Sequence, residues 1–174
     1  MYVQSDYMSE AATAATLFTT LLIGGIVLAL GASLRPAGRT VIAETGLMLS
    51  GLVAVGSTIG SLYFSERSGF DPCELCWYQR IAMYPQAIIL PLAAWRGDRS
   101  VLRYTMPLSF LGMAIALYHV QLQLFPDQSS FCEVANPCTG RWIRAFDVVT
   151  IPQMAAMGFF ILLILGAVAR KETP

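Results

Sequence analysis

Four cysteines carry the most reactive side chains of this sequence, and they fall into two close pairs, Cys73/Cys76 and Cys132/Cys138. A Cys-x-x-Cys bridge closes so short a loop that it removes little chain entropy and adds little stability. A structural staple would sooner join two distant segments. At a helix start, the two-residue separation favours a lowered thiol pKa instead, because free backbone N–H groups and the helix dipole hold the thiolate. The first pair lies in Asp71-Pro72-Cys73-Glu74-Leu75-Cys76-Trp77-Tyr78-Gln79-Arg80, with Cys76 at the mouth of an apolar segment. Arg80, four residues on, shares its helix face. A guanidinium one turn inside such a segment needs a strongly accepting partner, or else it snorkels to the interface. His119, the single histidine, stands in another apolar segment near Gln121 and Gln123. Its plain role is an interhelical hydrogen-bond donor. Its functional role, at the depth of Arg80, is to converge with Arg80 beside a thiol and form a pocket for a group with carbonyl oxygens.

Other uses of four cysteines fit less well. A Cys₄ zinc site is possible in principle, but the second pair is Cys-x₅-Cys. Covalent haem needs a histidine after the second cysteine, and Trp77 stands there. Two purely structural disulfides remain the plain alternative to redox chemistry. Four cysteines permit three connectivities, of which the close pairs are the simplest.

The elements that must position these groups are membrane helices. Of 174 residues, 56% are apolar and only 13% charged, about half the charge of an average soluble domain, and the mean hydropathy is +0.60. The eleven basic and eleven acidic residues cancel, so no long-range field attracts nucleic acid. Windows free of charge lie between Glu10 and Arg35, Glu44 and Glu66, Arg103 and Asp127, and Asp147 and Arg170; a fifth, Trp77 to Trp95, contains Arg80 alone. A spanning helix needs about 20 apolar residues, so helices are expected near 14–34, 45–65, 77–95, 104–125 and 151–169. The first ten residues hold Asp6 and Glu10 and no basic residue, unlike a cleaved signal, so the first window is expected to stay as a helix. With the N-terminus outside, seven of the eleven basic residues fall inside, as the positive-inside bias requires. All four cysteines then lie outside, where thiols tend to be oxidised. Glycines 24, 25, 46, 51, 56 and 60 suggest close packing of the first two spans, and Pro85 and Pro91 should kink the third. The stretch Arg141 to Val149, alternating Trp142, Ile143 and Phe146 with charges, suggests a short amphipathic helix at the outer interface or, equally, a plain juxtamembrane anchor.

Cys73-Glu74-Leu75-Cys76-Trp77-Tyr78-Gln79-Arg80 resembles the redox motif of the disulfide bond formation protein B (DsbB) family. Tyr118-His119-Val120-Gln121-Leu122-Gln123-Leu124-Phe125-Pro126, followed by Cys132, resembles that family's approach to its second outer loop. The Cys132/Cys138 pair and the run Trp142 to Pro152 are most similar to the short-loop, BdbC-like branch. The resemblance covers about residues 45–169. It implies an all-α integral membrane protein with a four-helix transmembrane bundle; the first window adds one extra N-terminal helix, a departure from the family's pattern, for five spans in all. Residues 1–44 would be the extra helix and an inner loop, and 45–174 the redox core with two outer cysteine-bearing loops. Vitamin K epoxide reductase-like proteins, whose loop cysteines precede the Cys-x-x-Cys, are the alternative enzyme reading. A non-catalytic membrane subunit with structural disulfides is the alternative of another class.

The resemblance further implies a thiol-disulfide oxidoreductase of the bacterial cell membrane, with its cysteine loops extracytoplasmic. It would reoxidise a DsbA-like, thioredoxin-fold thiol oxidase and pass electrons to a membrane quinone, ubiquinone or menaquinone. Cys132–Cys138 would receive the partner's thiolate, with the mixed disulfide at Cys132, and would then exchange with Cys73–Cys76. Cys73, the more exposed, would meet the loop pair, and Cys76 the quinone. Charge developing on a quinone oxygen would be stabilised by a fixed cation or donor, Arg80 first, His119 second and Gln123 third. Trp77 and Tyr78 would pack on the ring or serve as interfacial aromatics.

Overall fold

In lipid, a segment without water must satisfy its own backbone groups, and a helix does so residue by residue. The computed structural model describes residues 2–128, 132 and 137–171, and each of the five apolar windows is a helix. In chain order these are α1 (Tyr2–Ser33), α2 (Pro36–Leu62), α3 (Glu74–Arg96), α4 (Leu102–Leu124) and α5 (Ile151–Lys171). A wide π-type turn, Tyr63–Arg67, extends α2. Among the described residues the sole β feature is an isolated bridge between Ala145 and Val149. Four helices, α1, α2, α4 and α5, are long and apolar enough to cross a membrane. In α3, Gln79, Arg80 and Gln86 lower the apolar content. Its 23 residues still reach about 34 Å at 1.5 Å per residue, and it packs along both α2 and α4.

The expected inner loop at 35–44 is nearly absent. Only Leu34 and Arg35 separate the first two helices, and residues 36–44 are the opening turns of α2. Pro36 stands at the start of α2, where its fixed φ suits the first turn and its missing N–H costs nothing. Arg35 before it is extended, as a residue preceding proline must be. At the same end of the bundle, α3 stops at Gly97, which takes a left-handed conformation (φ 67°). The Asp98 N–H closes back on the Ala93 carbonyl at 2.9 Å, the hydrogen bond of a Schellman stop.

Helix α5 is the hub, packed against α1, α2 and α4. Close approach decides the register. Gly51 on α2 takes the Pro91 ring of α3, and Gly60 takes the Phe18 ring of α1. Gly25 and Gly46 also face neighbours across helix interfaces, whereas Gly24 and Gly56 have open space where a side chain would project. Four of the six expected packing glycines therefore pack. The tightest seat is Gly112 on α4, whose missing Cβ leaves room for the fully buried Phe159 ring of α5. One buried polar pair ties α3 to α4, Ser109 Oγ donating to Gln86 Oε1 at 2.9 Å.

A methyl group at Gly112 would overlap the Phe159 ring, so Gly112→Ala should cost about 1–3 kcal/mol by overpacking. Thermal unfolding in detergent should show a lowered midpoint. Gly24→Ala, which adds a methyl to open space, should leave it unchanged or higher. Equal effects of the two substitutions would contradict this packing.

Candidate functional site

The site begins where α3 begins. Asp71-Pro72 leads into Cys73, whose extended backbone (φ −69°, ψ 172°) makes it the N-cap of α3. Cys73, and not Cys76, therefore occupies the helix mouth. The two sulfurs lie 3.3 Å apart as free thiols. Their exposure is the reverse of expectation: Cys73 is buried and Cys76 only partly so. When Cys73 is a thiolate, the S–H of Cys76 donates to its sulfur. That hydrogen bond, opposed by burial and assisted by His119, pulls the Cys73 thiol from 9.0 to about 4. A thiolate stabilised in this way is the form that attacks disulfides.

His119 and Gln123, on successive inward turns of α4, hold the cysteine loop that follows. The Gln79 amide nitrogen lies 3.2 Å from His119 Nδ1, a pairing that assigns the ring proton to Nε2. From Nε2 it is donated to the Cys138 carbonyl at 3.0 Å, with the Cys73 sulfur 3.7 Å away. One ring thus touches both cysteine pairs. Gln123 donates to the Gly140 carbonyl at 2.9 Å and accepts from Thr150 Oγ1 at 2.7 Å. Arg141 returns a hydrogen bond to the Gln123 carbonyl. Gln153 reaches back to the Thr150 N–H at 2.7 Å, one half of a capping box that starts α5. Cys132 and Cys138 form a disulfide with Cα atoms 5.9 Å apart. Among the described residues, the soft ligands that approach one another are Cys73, Cys76 and His119.

The stretch Arg141 to Val149 is not an amphipathic helix. Ile143 and Ala145 are buried while Trp142, Arg144 and Phe146 are exposed, which is the two-residue period of extended chain. The segment then turns through Phe146 and Asp147, both left-handed at φ 53° and 61°, and closes at the Ala145–Val149 bridge. Alternation at period two marks extended chain and not a helical face. The extended form lets Trp142 stack on Phe70 at 5.6 Å, and Phe70 on Phe64 at 6.3 Å. This aromatic ladder joins the second cysteine loop to the first and to the end of α2.

Arg80 lies on the other side of the thiols. It is 9% exposed and does not snorkel away. Nε donates to Ser61 Oγ at 3.1 Å and Nη2 to the Ser61 carbonyl at 3.2 Å, while Tyr84 donates to the same hydroxyl. Trp77 covers the guanidinium at 5.0 Å. Arg80 borders a cavity of about 90 Å³ together with Cys76, Phe18, Tyr84, Trp142 and Phe159. His119 and Gln123 line a separate, smaller space beside Cys73, and Cys76 borders both. The three residues expected around one ring therefore divide: Arg80 with Cys76, and His119 and Gln123 with Cys73 and the loop. Trp77 and Tyr78 are half-exposed and do not line the larger cavity. Sequence reasoning missed Ser61 and Gln79, which orient Arg80 and His119. Gln79 lies inside the redox motif, whereas nothing marks Ser61 among the small residues of α2.

A family model described as disulfide bond formation protein DsbB matches residues 43–169. Disulfide bond formation protein C of Bacillus subtilis is 41% identical over 128 residues, covering 72% of this chain and 93% of that protein. A probable disulfide formation protein C of Halalkalibacterium halodurans is 42% identical over 132 residues, 74% of this chain and 96% of its own length. A probable disulfide formation protein of Metapseudomonas resinovorans is 39% identical over 130 residues, 73% of this chain and 90% of its own. No solved structure matches. The paired thiols, the docked cysteine loop and these likenesses lead to one conclusion, that the chain belongs to the DsbB family of membrane disulfide bond formation proteins.

Proposed function

We propose that this protein relays two electrons from an extracytoplasmic thioredoxin-fold thiol oxidase to a membrane quinone, with its cysteine loops outside the cell membrane. One observation carries the reading: both sulfurs pack in the cluster that holds the loop pair, but of the two Cys76 alone also borders an apolar cavity lined by a guanidinium. Adjacent sulfurs with two different surroundings suit a relay better than a staple. Cys138 is 1% exposed and Cys132 more open, which supports Cys132 as the sulfur that a partner thiolate attacks. The mixed disulfide is resolved by the partner's second thiolate, leaving the partner oxidised and Cys132 and Cys138 as thiols. One of these thiolates then attacks Cys73 of an oxidised Cys73–Cys76 bridge, and Cys76 leaves with the electron pair. The second loop thiolate attacks the new mixed disulfide. That step restores Cys132–Cys138 and releases Cys73 as a thiolate beside the Cys76 thiol.

The larger cavity suits a quinone ring by its chemistry. Its walls are mainly aromatic and thioether side chains, and among the polar groups that also line it Arg80, Gln79 and Ser61 keep N–H or O–H donors for ring carbonyls. A quinone bound there supplies the sink for the two electrons and two protons released as the Cys73–Cys76 bond reforms. Arg80 is held by Ser61 and covered by Trp77 and Tyr84. Its charge is therefore fixed before reaction, as electrostatic stabilisation requires. His119 keeps its proton between Cys73 and the loop carbonyl, where it supports thiolate formation and loop docking.

Two outcomes test the reading. Arg80→Ala should lower the quinone-dependent kcat/KM about 10- to 100-fold, the loss of one charge-assisted hydrogen bond of roughly 1.5–3 kcal/mol. Arg80→Lys should recover part of this. Stopped-flow exchange between the partner and Cys132–Cys138 should remain near the wild-type rate. Equal slowing of both steps would make Arg80 a structural residue, and the absence of any quinone reduction would favour a stapled subunit without turnover.

The second outcome concerns pH. Because the Cys73 pKa is lowered, its thiolate should persist through neutral and mildly acidic pH and be lost only as pH falls through about 4. The thiolate absorbance near 240 nm, taken as the difference between reduced wild type and Cys73→Ala, measures it. Cys76→Ala removes the donated S–H and should move the transition upward, towards the ordinary thiol range. A wild-type transition already in that range would contradict the assignment.

A further inference from the structure

The matched family region begins at residue 43, so α1 lies outside it, yet α1 reaches the cavity beside Cys76. Its inward face is a run of small residues, Ala11, Ala15 and Thr19, each fully buried, continued by Leu22. Small side chains let the helix seat closely, and α1 packs on both α5 and α2. Leu17, Leu21 and Leu28 on the opposite side are largely exposed, as a lipid-facing side would be. The close seat fixes the depth of Phe18. Its ring lies over Gly60 of α2, where even a Cβ would come within 3.3 Å of Cε2. The same ring lines the cavity, facing a space that α2 bounds with Ser57 and Ser61 and α5 with Met154 and Phe159.

We propose that α1 is a wall of the electron-acceptor site and that Phe18 is a specificity-determining residue for the acceptor's ring. The proposal rests on the reading that this cavity accepts a quinone. Without α1, the seam between α2 and α5 would open to lipid, and the ring would have no aromatic neighbour on that side. With α1 seated, the size of residue 18 sets how much planar apolar surface the cavity accepts. Gly60 is the complement that lets a side chain as large as phenylalanine stand there.

The test measures binding and not turnover. Whole protein in lipid nanodiscs is titrated with decylubiquinone, which has a benzoquinone ring, and with menadione, which has the larger naphthoquinone ring. The readout is the saturable quenching of tryptophan fluorescence, Trp142 being a cavity residue. Phe18→Ala should weaken decylubiquinone binding about tenfold, the equivalent of roughly 1.4 kcal/mol, and shift preference towards menadione. Phe18→Trp should shift preference the other way. Opposite shifts in ring preference cannot come from a general loss of stability, which would move both ligands together. Leu21→Ala, on the lipid side of α1, should change neither. If Arg80→Ala weakens binding while both Phe18 variants keep wild-type affinity and preference, α1 is no part of the site and the inference is overturned. If neither Arg80 nor Phe18 variants affect binding, the cavity does not hold the quinone, and the reading beneath it fails as well.

Discussion

The start of α3 imposes the constraint on which the rest of the site depends. A helix turn brings two sulfurs three residues apart to 3.3 Å while giving them different neighbours. The N-cap residue, Cys73, packs its sulfur among Leu122, Cys138 and the loop disulfide. Cys76, inside the first turn, looks along the helix towards Arg80 and the apolar cavity. Short separation allows the pair to exchange electrons as a unit. Divergent surroundings suit the pair to the proposed relay.

Placing a polar loop against membrane helices raises a problem of unsatisfied backbone groups, since a buried carbonyl without a donor costs about 1–3 kcal/mol. The solution is mutual. Polar side chains that are costly within apolar helices supply the donors that the loop carbonyls need, His119 for Cys138 and Gln123 for Gly140, and the loop's Arg141 in return donates to the Gln123 carbonyl at the end of α4. The same logic serves Arg80, whose charge is met by a hydroxyl and a carbonyl of α2 and by two aromatic faces. Polar groups here locate the loop and the cation, while the apolar contacts of α2, α3, α4 and α5 supply the bulk of the packing.

Charge-free windows made the helices legible, because lipid admits few alternatives to a helix, and each predicted span falls within or near an observed one. The ends were less legible. Residues 35–44 read as loop because they hold Arg35, Arg39 and Glu44, yet charged residues at an interface do not interrupt a helix. The site was legible as a set of residues but not as a geometry. His119 was expected at the depth of Arg80, but Arg80 borders one space beside the thiols and His119 and Gln123 another, a division that depends on helix rotation. The relative exposure of Cys73 and Cys76 was misjudged for a related reason. Distance from the span does not set exposure here, because the docked loop covers the N-cap.

The claim that Cys73 faces the loop pair and Cys76 the cavity is tested most directly by peptide mapping of two single variants after mild oxidation. In Cys76→Ala, Cys73 should become linked to Cys132 or Cys138. In Cys73→Ala, the loop disulfide should stay intact and Cys76 should remain a thiol. A loop-linked Cys76 in the second variant, with Cys73 unlinked in the first, would reverse the assignment and contradict the relay.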